Sequence, residues 1–206
     1  MLISDTNKFI FIHIPKTAGT SIRSALQTFS LERPNSNLAR VLKNFDLPRD
    51  YRNFRFNLHT TLQQAQNKLP ADVFGEYKKL AFVRNPYDRM VSNYAYKVHG
   101  TSLKKRKRND SFEEFVTQSC RGRDLRQVDY LLNREGKIEC DFIGRFETIN
   151  EDYINIQRLL SIELPALAKK NASKREGAYR EYYTDKTKDL VSEYYRQDIE
   201  EFGYQF

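Results

Sequence analysis

Residues 9–22 read Phe-Ile-Phe-Ile-His-Ile-Pro-Lys-Thr-Ala-Gly-Thr-Ser-Ile, and this stretch indicates the fold. Its apolar run Phe9–Ile12 is typical of a short strand that is buried on both faces. A turn follows over residues 15–20, and apolar residues within 21–29 are spaced as on one face of a helix. The stretch therefore predicts a strand, a loop and a helix in the first thirty residues.

Residues 80–92 repeat this order with the sequence Leu-Ala-Phe-Val-Arg-Asn-Pro-Tyr-Asp-Arg-Met-Val-Ser. A second buried strand over 80–83 is followed by Pro86, which suits the first position of a helix. A third strand is predicted over 138–146 and a helix over 149–160. Strands that alternate with helices predict parallel pairing, and hence a three-layer α/β fold with a central parallel sheet flanked by helices.

Weaker patterns predict the remaining elements. A short strand over 54–58 would end at His59, and a helix capped by Asp110 or Ser111 would run through Thr117. Further helices are expected over 61–68, 125–134 and 184–202, with loops or short helices over 31–55, 100–109 and 166–178.

The composition bounds the class of protein. The 206 residues carry 35 Lys+Arg and 27 Asp+Glu, a net charge of +8, and predict one domain over 1–206 that needs no disulfide or metal to fold. Cys120 and Cys140 show neither disulfide-framework nor zinc-ligand spacing, and no acidic cluster suggests a metal. No apolar run is long enough for a membrane span and no signal peptide precedes the first strand, so we expect a soluble cytoplasmic protein that starts naturally at Met1.

The loop after the first strand has the composition of a phosphate-binding site. Lys16 supplies a charge, Gly19 permits close approach of the backbone, and the start of a helix offers unpaired N–H groups. This loop is not a Walker A motif, because the lysine precedes the glycine. An ordinary tight connection between strand and helix is the alternative for this pattern.

A second anion site is indicated at the end of the second strand. Arg84 lies where open α/β sheets bind ligands, and Ser92 follows about two helical turns later. A guanidinium and a hydroxyl together can hold a phosphate. The alternative is that Arg84 pairs with a carboxylate and that Ser92 is solvated.

Taken together, the two segments resemble those of a known family. Residues 11–21 resemble the 5′-phosphosulfate loop of sulfotransferases, and residues 82–94 resemble their 3′-phosphate-binding strand and helix. Residues 142–147 and 198–206 also resemble segments of the carbohydrate sulfotransferase group that includes heparan sulfate 2-O-sulfotransferase. The chain is thereby identified as a soluble, bacterial-type member with a P-loop-like fold.

The resemblance implies a donor, 3′-phosphoadenosine 5′-phosphosulfate, and adenosine 3′,5′-bisphosphate as the product, without a metal. Residues 16–21 would hold the 5′-phosphosulfate (Lys16, Thr17, Ala18, Gly19, Thr20 and Ser21). Arg84 and Ser92 would hold the 3′-phosphate. Ser173 and Lys174 match more loosely the segment that closes over the nucleotide, and a solvated loop is the alternative. Lys16 would stabilise charge on the leaving phosphate.

The acceptor hydroxyl needs a base, and His59 is the main candidate because an imidazole titrates near neutral pH. The family's base is a histidine in an H-x-H arrangement, whereas Thr60 and Thr61 follow here. A structural histidine is therefore the alternative for His59. Glu147 is the reserve base, although an ion pair with Arg145 would also explain it.

The partners remain open at this level. The family implies a carbohydrate or another hydroxyl acceptor, which could be anionic. The basic run 104–108 is a solvated loop, a contact with a polyanionic acceptor, or a targeting or nucleic-acid segment; without interleaved aromatics it favours no base readout. A nucleotide-dependent phosphoryl-transfer enzyme and a polyanion-binding module are the alternative functions. The oligomeric state cannot be read from the sequence.

Overall fold

The computed structural model describes residues 1–30, 51, 56–98, 111–122, 125–167 and 177–206. Within them a four-stranded sheet has the order β1–β2–β3–β4. The strands are β1 (Leu2–Ser4), β2 (Phe9–Ile12), β3 (Lys78–Val83) and β4 (Phe142–Arg145). The pairs β2–β3 and β3–β4 are parallel, which confirms the central parallel sheet, and β1 adds an antiparallel edge that the sequence pattern did not predict.

The helices connect these strands and follow them. They are α1 (Gly19–Leu26), α2 (Leu62–Gln66), α3 (Ala71–Glu76), α4 (Pro86–Val98), α5 (Phe112–Arg121), α6 (Gln127–Leu131), α7 (Ile149–Leu160), α8 (Asp185–Tyr194) and α9 (Arg196–Phe202). Short 3₁₀ turns cover Gln27–Phe29 and Tyr179–Tyr182.

Side chains that alternate along the strands build a core on each face of the sheet. Phe9 and Phe11 pack with residues of α1 and α7, whereas Ile10 and Ile12 pack with residues of α2, α3 and α6. A third cluster joins α4, α5 and α8. The sheet is therefore covered on both faces, and the predicted three-layer architecture is confirmed.

Most predicted helices are present with shifted ends. Ser111 caps α5 and Thr61 caps α2, each in a capping box. Helix α7 covers the predicted residues 149–160, while the predicted helix over 125–134 is reduced to α6. The segment 184–202 is two helices rather than one, because the backbone at Tyr195 leaves the helical conformation.

Two strand predictions were wrong in part. Residues 56–58 are not a strand: the carbonyl of Asn57 accepts hydrogen bonds from the amide and hydroxyl of Thr60, which closes a local turn. The strand predicted over 138–146 is only β4, because Ile138 pairs with Leu132 instead of continuing the sheet. The predicted loops over 31–50, 52–55 and 100–109 lie outside the described residues, as do 168–176 of the last one.

Candidate functional site

The loop between β2 and α1 has a strained backbone. Lys16 and Ala18 both adopt left-handed conformations, with φ of 69° and 60°. Such conformations are unfavourable for residues with a Cβ and concentrate at functional sites. Turns of this kind form concave arrangements of backbone N–H groups that bind anions.

The start of α1 is left open to an anion. Ala18 is the N-cap residue and provides no side-chain cap for the first-turn N–H groups. The hydroxyl of Thr17 donates to the carbonyl oxygen of Ile14 at 3.0 Å, so this buried side chain stabilises the loop. The Nζ of Lys16 lies 4.2 Å from the centre of the Tyr96 ring. These contacts leave the loop shaped for an anionic ligand at the helix start.

Gly19 allows the loop to pack directly on the ring of His13. A Cβ at Gly19 would lie 2.0 Å from the Cδ2 of His13. His13 is itself buried, and its ring stacks on that of Phe11. A side chain at position 19 is therefore excluded by lack of space and not by the backbone conformation, since the φ of Gly19 is not in the left-handed region.

We expect the replacement of Gly19 by alanine to destabilise the fold by about 1–3 kcal/mol, the usual range for overpacking a tight contact. Gly75→Ala is the matched control, because a Cβ there meets no atom within 4 Å and alanine favours a helix. Denaturant unfolding of both variants measures the difference. Equal stabilities for the two variants would contradict the proposed contact.

The second predicted segment holds the first one in place. The Nη1 of Arg84 donates to the carbonyl oxygen of Lys16 at 3.1 Å, and the Nε of Arg89 donates to that of Pro15 at 3.1 Å. Both arginines lie in the segment after β3, which is parallel to β2. The predicted donor-loop residue Lys16 and the predicted phosphate ligand Arg84 are therefore brought together at one edge of the sheet.

Arg84 also pairs with a carboxylate, as one reading of the sequence expected. Its Nε and Nη2 contact the Oδ2 of Asp88 at 2.8 and 2.7 Å, and its guanidinium lies 3.8 Å from the centre of the Phe146 ring. Arg84 is only 5% exposed. Ser92, in contrast, is not solvated, because it is 4% exposed within α4.

The side chain of Gln127 forms two hydrogen bonds with the backbone of Arg84, a contact that the sequence did not predict. Its Oε1 accepts from the Arg84 amide at 2.9 Å, and its Nε2 donates to the Arg84 carbonyl at 2.8 Å. Asp198, on α9, in turn accepts the amides of Gln127 and Val128 at 2.9 Å each. Gln127 and Asp198 are fully buried, so this chain of contacts fixes the position of Arg84 from the far end of the sequence.

Replacing Gln127 by leucine is expected to lower the free energy of unfolding by about 2–4 kcal/mol, because the amide and carbonyl of Arg84 would lose their hydrogen bonds to Gln127 in a buried site. Gln63→Leu, at an exposed position of α2, is the control for the same chemical change. Denaturant unfolding reports the loss. A destabilisation no larger than that of Gln63→Leu would show that the two hydrogen bonds from Gln127 to Arg84 are not needed for stability.

Glu147 does not form the ion pair with Arg145 that the sequence suggested. Its carboxylate accepts from the Asn85 amide at 2.7 Å and from the Tyr204 hydroxyl at 3.1 Å. Arg145 instead donates to the Phe202 carbonyl and lies over the Tyr204 ring. Glu147 therefore joins the loop after β3 to the carboxyl-terminal residues.

His59 lies next to His13, although not on a strand. Its Nδ1 is 2.8 Å from the carbonyl oxygen of His13, and the two rings are 4.8 Å apart. A carbonyl oxygen only accepts hydrogen bonds, so Nδ1 carries the proton and Nε2 keeps a lone pair. Since His13 contacts Gly19, the exposed ring of His59 lies on the side of the donor loop.

A cavity elsewhere in the molecule adds no residue to this candidate site, and neither does any metal-binding group or membrane-spanning helix in the described part of the chain. A cavity of about 540 Å³ between α5, α6 and α8 is lined by none of the predicted site residues. The described residues contain no group of three or more His, Cys, Asp or Glu suited to a metal ion. Within the same residues, no helix has the length and apolar character needed to cross a membrane.

Comparison with known proteins identifies the family. A profile of the sulfotransferase family matches residues 1–205. The chain belongs to the sulfotransferase family. The family was expected from the loop after β2 and the segment after β3, and it is confirmed.

Relatives and a solved structure agree with this assignment. Carbohydrate sulfotransferase 11 from Rattus norvegicus is 23% identical over 193 residues, which cover 79% of this chain and 53% of the relative, and its Mus musculus counterpart gives the same values. The chain thus spans about half the length of these relatives. The fold is similar to that of mouse sulfotransferase SULT7A1, solved in complex with PAP, with a TM-score of 0.59 and 15% identity over 96% of this chain and 86% of that one.

Against this sulfotransferase fold, the predicted site residues divide into three groups. Residues 16–21, Arg84 and Ser92 lie on the loops and helices that leave β2 and β3, at the same edge of the sheet. His59 approaches from the turn before α2. Ser173 and Lys174 lie outside the described residues, as does the basic run 104–108, so their roles stay predictions.

Proposed function

We propose that this sulfotransferase moves a sulfuryl group from 3′-phosphoadenosine 5′-phosphosulfate to a hydroxyl group of a carbohydrate acceptor. The observation that carries the proposal is the contact between the two predicted loops, in which Arg84 donates to the carbonyl of Lys16. One loop would bind the 5′-phosphosulfate and the other the 3′-phosphate. Their contact would set the two proposed anion sites at neighbouring positions on one sheet edge.

The residues present fit such a donor. Residues 16–21 offer a lysine and an uncapped helix start to the phosphosulfate. Arg84, oriented by Asp88 and Gln127, and the buried hydroxyl of Ser92 suit the 3′-phosphate. Ser173 and Lys174 are proposed as further contacts to the nucleotide.

The proposed reaction is an in-line displacement at sulfur. The donor supplies a sulfuryl group on a phosphate leaving group. The acceptor oxygen forms the new S–O bond, its proton passes to Nε2 of His59, and the bond from sulfur to the bridging oxygen breaks. Adenosine 3′,5′-bisphosphate leaves, and the charge that grows on its 5′-phosphate is stabilised by Lys16.

The geometry of His59 supports the role of base. The hydrogen bond to the His13 carbonyl holds the tautomer in which Nε2 can accept a proton. The carbohydrate acceptor rests on the relatives, which are named carbohydrate sulfotransferases. The positive net charge would also favour an anionic acceptor.

Binding of adenosine 3′,5′-bisphosphate tests the donor site. We expect it to raise the unfolding temperature of the wild type, because a ligand at a hundred times its Kd adds about 2.7 kcal/mol to the stability of the folded state. The shift should vanish in Arg84→Ala and persist in Arg158→Ala, a change at an exposed position of α7. Each variant is compared with its own ligand-free midpoint, and ATP with magnesium serves as the control ligand. No shift at millimolar bisphosphate, or an equal shift with ATP and magnesium, would refute the donor assignment.

A further inference from the structure

Arg23 projects toward the same region as the proposed base. It follows Gly19 by four residues on α1, so the two positions share one face of the helix. Long side chains on a helix lean toward its amino-terminal end, which directs Arg23 back toward Gly19. His13 packs on that face at Gly19, and its ring lies 4.8 Å from that of His59.

Two nitrogens in this region have no hydrogen-bond partner among the described residues. They are the Nε of Arg23 and the Nδ1 of His13, and both atoms are buried. Buried polar atoms are almost always hydrogen-bonded in folded proteins, because an unpaired one costs free energy. Arg23 as a whole is half-buried, so part of its side chain is reachable from solvent.

Arg23 supplies the charge in this region. Burial is the main cause that lowers the pKa of His13 to about 3, and the charge of Arg23 lowers it further. Burial likewise lowers the pKa of the Met1 amino group to about 5. His13 is therefore neutral at physiological pH, and Arg23 is the permanent cation on this face. No carboxylate of the described residues pairs with Arg23.

A guanidinium that pairs with no carboxylate is suited to an oxyanion, because its planar fork matches the oxygens of a carboxylate or a sulfate. We propose that Arg23, beside His13 and His59, is an anion subsite that holds a sulfate or carboxylate group of the acceptor. The proposal rests on the proposed function, since it places this group next to the base. An anion bound there would position the neighbouring hydroxyl of a charged sugar for attack.

Calorimetric titration with a sulfated tetrasaccharide that contains uronic acids tests the subsite without any donor. We expect Arg23→Gln to weaken binding about tenfold or more, the loss typical of a charge-assisted contact. Arg23→Lys should retain part of the affinity, because it keeps the charge without the fork. Arg158→Gln, the same change on the exposed surface of α7, should stay within twofold of the wild type.

Further probes identify the anion that is recognised. The desulfated tetrasaccharide and the carboxyl-reduced tetrasaccharide separate a sulfate from a carboxylate, because only the probe that lacks the recognised group should lose its sensitivity to Arg23→Gln. Neutral cellotetraose should bind equally to wild type and variant. Unfolding midpoints of all variants verify that they are folded.

Three results would overturn the subsite. They are no binding of the tetrasaccharide to the wild type, equal losses in Arg23→Gln and Arg158→Gln, and a loss of adenosine 3′,5′-bisphosphate binding in Arg23→Gln, which would place Arg23 in the donor site. Absence of bisphosphate binding to the wild type is a separate failure, because it refutes the proposed function while the tetrasaccharide titration still decides on the subsite.

Discussion

Replacement of His59 by glutamine is expected to lower kcat by about a hundredfold or more, the usual contribution of a general base. In the proposed reaction the imidazole Nε2 accepts the proton of the acceptor hydroxyl. An amide cannot do so, although glutamine keeps a side chain of similar polarity. Affinity for adenosine 3′,5′-bisphosphate should be unchanged, because His59 contacts His13 and not the donor loop directly. Steady-state sulfuryl transfer and bisphosphate titration measure the two quantities.

The pH profile separates a base from a merely structural histidine. A general base works only without its proton, so kcat of the wild type should fall toward acidic pH, and this limb should be missing from the residual activity of His59→Gln. His99→Gln makes the same chemical change at another histidine and should keep the acidic limb. An unaltered acidic limb in His59→Gln would assign the proton transfer to another group.

Replacement of Lys16 by alanine is expected to lower kcat by about a hundred- to a thousandfold, the cost of removing one preorganised group from a developing anion. The effect falls on kcat more than on binding, because charge on the bridging oxygen grows only as the bond to sulfur breaks. In the structure the ammonium group lies over the Tyr96 ring of α4, 4.2 Å from its centre. Single-turnover rates at saturating donor measure the chemical step.

Lys78→Ala is the control for the Lys16 variant. Lys78 is an exposed residue at the first position of β3, at the end of the strand away from the site, and it pairs with Asp141. Its replacement should leave the rate within twofold of the wild type. If Lys16→Ala weakens bisphosphate binding as strongly as it lowers the rate, Lys16 serves ground-state binding rather than the leaving group.

Much of the fold was predictable because it follows from apolar runs and periodicities within short stretches of sequence. The apolar runs of β2 and β3 are short, continuous and followed by turn residues, and this signal does not depend on distant parts of the chain. Helix α7 was predicted with its observed limits because an apolar periodicity spans all of it. The strand expected over 54–58 failed because its alternation is weak and Asn57 closes a turn instead.

The site was predictable only in part, for the same reason. Lys16, Gly19 and Arg84 follow buried strands directly, so their position at one edge of a parallel sheet follows from the sequence order. Gln127 gave no such signal. Gln127 lies 43 residues from the Arg84 peptide that it holds, and a lone polar residue in a helical pattern looks like a solvated one.

By itself, the amino-acid sequence determined the alternation of strands and helices, the positions of the two loops that we propose bind anions, and the family, because each depends on residues close together in the chain. Only the tertiary structure decided that Asp198 anchors Gln127 across 71 residues and that the carbonyl of His13 sets the tautomer of His59. It also decided that Arg23 meets no carboxylate among the described residues. These are contacts between distant segments, and such contacts are set by how the helices pack on the sheet rather than by any local pattern.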